Sequence, residues 1–341
     1  MASNPIENFK VDVSTIEYIG EDLNRPECIL AEPDGSLWCA DSRGGVVHIG
    51  PDGGQRFIKQ SYGKIPDKYK NPKPGDVSDP LEETLPNGMA FADNGDLLIA
   101  NFGTDALERM TRDGVTEFVH GSIDGLPIGK VNFVLRDSKN RLWLTISTQI
   151  KNWPEAISPN RIDGYVALAD EKGIRVVADG FHFTNEVRLD ANEEWLYVVE
   201  TCGRHISRLR IQPDGSLTDR EIYGPSDTGA FIDGIAFDAY GNLWGTHIFR
   251  EQIFAITPEG DLHILFDEGD PAVFKVLLDA YERDEASVEL MATCKGKIAP
   301  WITSVTFGGP DLKTVYMGCL EGRKIPYFRS PVAGQPMAHW K

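Results

Sequence analysis

Glu27, Asn87, Asn132, Asn185, Asp233 and Thr303 each occupy the same place in a recurring stretch of the chain, two residues ahead of an apolar position: Ile29, Met89, Val134, Val187, Ile235 and Val305. If the stretches are related by rotation, equivalent residues lie at equivalent distances from one axis and these six side chains form a ring. Polar groups facing such an axis are costly unless hydrated, bonded to one another or bound to an ion. Glu27 and Asp233 carry the charge that balances one divalent cation, and Asn132, Asn185 and Asn87 add amide oxygens. Hard oxygen donors suit Ca²⁺, with Mg²⁺, Mn²⁺ or, through its carboxylate ligands, Zn²⁺ as alternatives. Asn and Asp also cap strands and turns, so the shared register of the set carries the inference.

The elements that must position this ring read as hairpins. Ile29–Trp38, Met89–Leu98 and Ile235–Trp244 each run apolar-alternating strand, Asp/Asn/Gly turn, second strand, the strongest local hairpin pattern. A second hairpin follows at turns such as Arg112-Asp113-Gly114 and Pro213-Asp214-Gly215. Two hairpins per repeat give four strands, the unit of a propeller blade. The second-strand landmarks Leu37, Leu97, Leu142, Leu196, Leu243 and Val315 fall 45 to 72 residues apart, so the longer repeats carry insertions. The expected fold is an all-β, six-bladed β-propeller with four antiparallel strands per blade, one domain over 1–341 with its core at about 15–330. A strand at Thr15–Ile19 is expected to close the ring against the last blade, since an open edge invites aggregation.

Three insertions stand out: Ser61–Thr84, Ser147–Arg161 and Asp267–Pro300. The last holds a helical pattern over Pro271–Leu290, with Val273, Val276, Leu277 and Tyr281 at helical spacing and Asp270 as its cap. Long loops in a compact fold are often lids or assembly surfaces, and a homo-oligomer would form through them.

With a net charge of −18 the chain lacks the basic face a nucleic-acid partner requires. No apolar run is long enough to span a bilayer, and Met1–Lys10 does not resemble a signal peptide. Five cysteines without CxxC spacing read as reduced core thiols of a cytoplasmic protein. Metalloprotease, P-loop, dinucleotide and nucleophile-elbow motifs are all absent. His182, three residues before Asn185, is a candidate for the channel mouth, while Glu186 in a regular strand would point away from the axis.

Pro26-Glu27-Cys28, Pro86-Asn87-Gly88-Met89, Thr184-Asn185-Glu186-Val187, Ile232-Asp233-Gly234-Ile235 and, most specifically, Phe307-Gly308-Gly309-Pro310-Asp311-Leu312-Lys313-Thr314-Val315-Tyr316 give the chain a resemblance to the SMP-30/gluconolactonase/LRE-like family. The resemblance runs from about Glu17 to Ser330 and implies a six-bladed propeller and a calcium- or zinc-dependent lactonase. It implies metal ligands Glu27, Asn132, Asn185 and Asp233. Asn132-Phe133-Val134 departs from the family's usual Asn-Asp-Gly, which points either to a less polar substrate or to packing. The expected activity is metal-dependent opening of a small cyclic ester, with Asp233 as general base and Asn87, Asn132, Phe133 and His182 around the substrate. Alternatives are a phosphotriesterase on the same ring, as in similar diisopropylfluorophosphatase-like propellers, and a non-catalytic, metal-stabilised binding propeller.

Overall fold

Alternation of apolar and polar residues around Asp-Gly and Asn-Gly turns produces six four-stranded antiparallel sheets, the second extended by Ser61–Tyr62 in parallel, in a computed structural model of the chain that describes residues 3–70 and 77–340. Their innermost strands are Ile29–Ala31, Pro86–Phe91, Val131–Arg136, Thr184–Leu189, Phe231–Phe237 and Ile302–Gly308. Each touches the next, and the sixth touches the first, so the sheets close into a six-bladed propeller. Closure is completed by Glu17–Ile19, which pairs antiparallel with Ile325–Arg329, Glu17 facing Tyr327 and Ile19 facing Ile325. That chain-distant pairing makes Glu17–Ile19 the outermost strand of the last blade, so residues from both ends of the chain build one sheet.

The Leu-Trp landmarks have a physical reason. In blades one, three and five the indole is almost wholly buried, and a buried indole N–H needs an acceptor. The acceptor is each time a carboxylate six residues earlier. Trp38 donates to Glu32 at 2.6 Å, Trp143 to Asp137 at 3.0 Å and Trp244 to Asp238 at 2.9 Å. The same Asp238 also accepts the backbone N–H groups of Tyr240, Gly241 and Asn242, so one side chain shapes the turn and satisfies the core.

The innermost strands share an irregularity. The ladder slips between Pro86 and Met89, Val131 and Phe133, Thr184 and Val187, Ile232 and Ile235, and Ile302 and Ser304. Each slip brackets the ring residue of its blade. A bulge frees a residue from the ladder and re-aims its side chain.

The insertions at 147–161 and 267–300 meet at one mouth of the channel. The segment at 61–84 includes residues 71–76, which lie outside the described residues. Trp153–Ala156 forms a 3₁₀ turn. Pro271–Glu282 is a helix whose cap, Asp270, accepts from Ala272 and Val273 at 2.8 and 3.3 Å. The expected helix through Leu290 is interrupted. Asp284 adopts a left-handed φ of 61°, and Ser287 starts a second helix, Val288–Thr293. Val276 faces solvent, while Phe274, Leu277, Ala280 and Tyr281 are buried.

At the opposite mouth the C-terminal segment crosses the channel. Gln335 Nε2 donates to the Leu189 carbonyl, Gln335 N to that of Phe237, and Trp340 Nε1 to that of Ala31. These bonds reach three blades and cover that end. All five cysteines are free and buried. Among the described residues no helix is long and apolar enough to cross a membrane.

Candidate metal centre and its cavity

Five of the six ring residues, Glu27, Asn87, Asn132, Asn185 and Asp233, line the floor of one cavity of about 280 Å³. All five are buried. Asn87 is engaged at both ends of its amide: Nδ2 donates to Glu27 Oε1 at 3.1 Å and to the Asn132 carbonyl at 3.0 Å, and Oδ1 accepts from Arg25 at 2.7 Å. It therefore orients Glu27 and Arg25 while lining the cavity. Asn185 Nδ2 donates to Thr201 Oγ1 at 3.2 Å, which fixes the amide and leaves Oδ1 free. Asn185 Oδ1 and Glu27 Oε2 are both buried without a hydrogen-bond partner.

The sixth ring residue does not join them. Thr303 donates its hydroxyl to the Glu27 carbonyl oxygen at 3.0 Å, beside Ser304, which does so at 2.7 Å. Here the first and last blades meet, and these hydroxyls tie the seam.

Two further side chains define the electrostatics. Arg25, half-buried with a φ of 60°, brings a guanidinium to the floor. Burial pushes its pKa down, while Glu27 and Asp233 hold it up. Glu186 does not point outward: the slip between Thr184 and Val187 turns it inside, where Oε2 accepts the Ile235 N–H at 3.1 Å and meets Arg188 at 2.7 Å. Burial raises the pKa of Glu27 and of Asp233 above the ordinary carboxylate range. The Glu186 charge pushes both further up, and Arg25 opposes the shift. Three carboxyl groups, Glu27, Asp233 and Glu186, are thus set beside two guanidinium groups, Arg25 and Arg188.

Among the described residues no three His, Cys, Asp or Glu side chains cluster as a metal site. The donor set is instead two carboxylates plus amide oxygens, of which Glu27 Oε2 and Asn185 Oδ1 have no protein partner. That set fits a hard divalent cation.

Two expected substrate contacts lie elsewhere. Phe133 is buried beneath the Arg188 guanidinium, 4.7 Å from its ring centre, and lines the opposite end of the channel. Past its bulge the strand resumes regular pleating and returns Phe133 to the core. His182 does not line the cavity; its backbone N–H donates to Glu200 at 2.9 Å. Phe183, in a left-handed conformation at φ 57°, lines it instead.

A signal for the walls was present in the repeat. Two residues before the ring position stand Arg25, Leu85, Phe183 and Trp301, all lining the cavity. Second-strand ends supply Phe102, Thr201, Ile248 and Leu320, and the insertions supply Trp153, Ile157, Val288 and Met291.

Fold and floor together define a six-bladed propeller with an oxygen-rich centre at one mouth of its channel. A family model described as the SMP-30/Gluconolactonase/LRE-like region matches residues 25–266, and the chain belongs to that family. A gluconolactonase structure from Xanthomonas campestris superposes with a TM-score of 0.65 at 15% identity, covering 94% of each chain. Regucalcin, a calcium-binding protein from Agrobacterium tumefaciens, gives 0.66 at 13%, covering 95% of this chain and 98% of that one. In sequence, serum paraoxonase/arylesterase 2 of Rattus norvegicus is 25% identical over 87 residues, 25% of this chain and 24% of that protein, so the match spans about a quarter of that relative.

Proposed function

We propose that this protein is a divalent-metal-dependent hydrolase that opens lactones. The observation that carries the reading is the buried pair Glu27 and Asp233 at the floor of an apolar cavity, with Glu27 Oε2 and the neighbouring Asn185 Oδ1 lacking protein partners. Membership of the family supports it, as do the ester-hydrolysing activities named for the gluconolactonase and arylesterase relatives. Calcium is the first choice of ion, in keeping with oxygen-only donors and with the calcium-binding regucalcin.

Glu27, Asn132, Asn185 and Asp233 would hold the ion, which when bound supplies Lewis-acid polarisation of the ester carbonyl. Asp233 accepts a proton from the attacking water. The water oxygen bonds to the carbonyl carbon, the ring C–O bond breaks, and the proton passes to the departing alkoxide, giving a hydroxy acid. Asn87 keeps Glu27 and Arg25 in place through its hydrogen bonds to both. Arg25 is the cation nearest the floor that can meet the carboxylate formed on ring opening.

A panel of lactones, aryl esters and phosphotriesters assayed with calcium and with EDTA tests this. Lactones are expected to be hydrolysed only with metal present. Absence of metal-dependent turnover on every compound would make the propeller a binding module, and preference for the phosphotriester would move the chemistry to phosphorus.

A further inference from the structure

Above the floor the cavity has almost no polar surface. Its walls are Phe102, Trp153, Phe183, Phe249, Met291 and Trp301, with other aliphatic side chains between them. The Trp301 indole N–H is already engaged, donating to the Met291 carbonyl at 3.2 Å. Thr201 accepts from Asn185 at the floor. Phe102 meets Trp153 edge-on at 6.3 Å, and Phe249 meets Trp301 edge-on at 5.7 Å, so the rings brace one another.

The backbone makes the same point independently. Left-handed φ is rare and strained for a bulky side chain. Among the described residues only four apolar side chains adopt it: Phe183, Phe249, Trp301 and Leu312. Three of the four line this cavity. Strained backbone at three separate points, in blades four, five and six, delivers aromatic rings to one place.

We infer that the substrate of this site carries a bulky apolar body, as in an aryl-fused or alkyl-chain lactone, and is not a polyhydroxylated sugar lactone. This rests on the hydrolase reading for the reaction, but the binding preference is a property of the walls alone. A sugar's hydroxyls would be stripped of water against rings that return no hydrogen bond, whereas an apolar body gains from leaving water. The cavity volume, near the lower edge of ligand clefts, suits a bicyclic or medium-chain lactone. Phe183 and Phe249 are the specificity-determining residues.

The test compares dihydrocoumarin with glucono-1,5-lactone on the metal-loaded protein, and follows fluorescence of the cavity tryptophans as the unhydrolysed lactam analogue of each is titrated in. kcat/KM is expected to favour dihydrocoumarin by at least about 100-fold, a margin an apolar pocket can supply against added hydroxyls. Only the apolar lactam should give a saturable fluorescence change. Phe183→Asn and Phe249→Asn, whose new side chain tolerates left-handed φ, are expected to narrow the ratio about tenfold with the melting temperature kept. Equal or greater activity on the sugar lactone overturns the inference and leaves the hydrolase reading intact. Turnover of neither, with selective binding of the apolar lactam, sinks the hydrolase reading and keeps the preference. Equal binding of both lactams, or of neither, overturns it.

Discussion

Asp233→Asn is expected to lower kcat for lactone hydrolysis by about 10³-fold at saturating metal, within the range contributed by a positioned general base. The substitution keeps an oxygen that can ligate an ion but removes the group that accepts the proton. The fold should survive. Asp233 is buried near Glu27 and Glu186, both of which disfavour its charge, so a neutral amide relieves repulsion. Circular dichroism and the melting temperature should match the parent while turnover disappears. A near-normal kcat would remove Asp233 from the reaction.

Glu27→Gln is expected to separate metal binding from folding. In the parent, calcium at about a hundred times its dissociation constant adds about 2.7 kcal/mol of stability, a rise of about 4 °C for a chain of this size. The variant loses one of two charges and the partnerless Oε2, so its melting temperature should not respond to calcium. Without metal it should melt at or above the parent, because the repulsion with Asp233 is gone. Thermal melts with calcium and with EDTA check both halves; an undiminished calcium response in the variant would place the ion elsewhere.

Rotational repetition made much of this legible in the sequence. Equivalent residues of a propeller share a radius, so Glu27, Asn87, Asn132, Asn185 and Asp233 could be gathered from register alone, and the structure brings all five to one floor. What register could not convey is direction after an irregularity. Bulges turn Glu186 inward and return Phe133 to the core. Left-handed backbone sends Phe183 into the cavity where His182 was expected. Arg25 has no counterpart of like charge lining the cavity from other blades, so no periodic pattern could single it out. Thr303 shares the register, but the seam between the first and last blades claims its hydroxyl.

The insertions illustrate the same division. Helical spacing and the Asp270 cap predicted the helix from Pro271. The break comes at Asp284 in its left-handed conformation, and Ser287 caps a second helix, which carries Met291 over the cavity and sets Trp301 against it. Those contacts link the decoration of the fold to the chemistry at its floor.

One divalent ion is expected among Glu27, Asn132, Asn185 and Asp233. Anomalous diffraction from crystals grown with Mn²⁺ addresses it directly. A single strong peak is expected within ligand distance of those four side chains. A peak at another place in the propeller, or none at this floor, would contradict it.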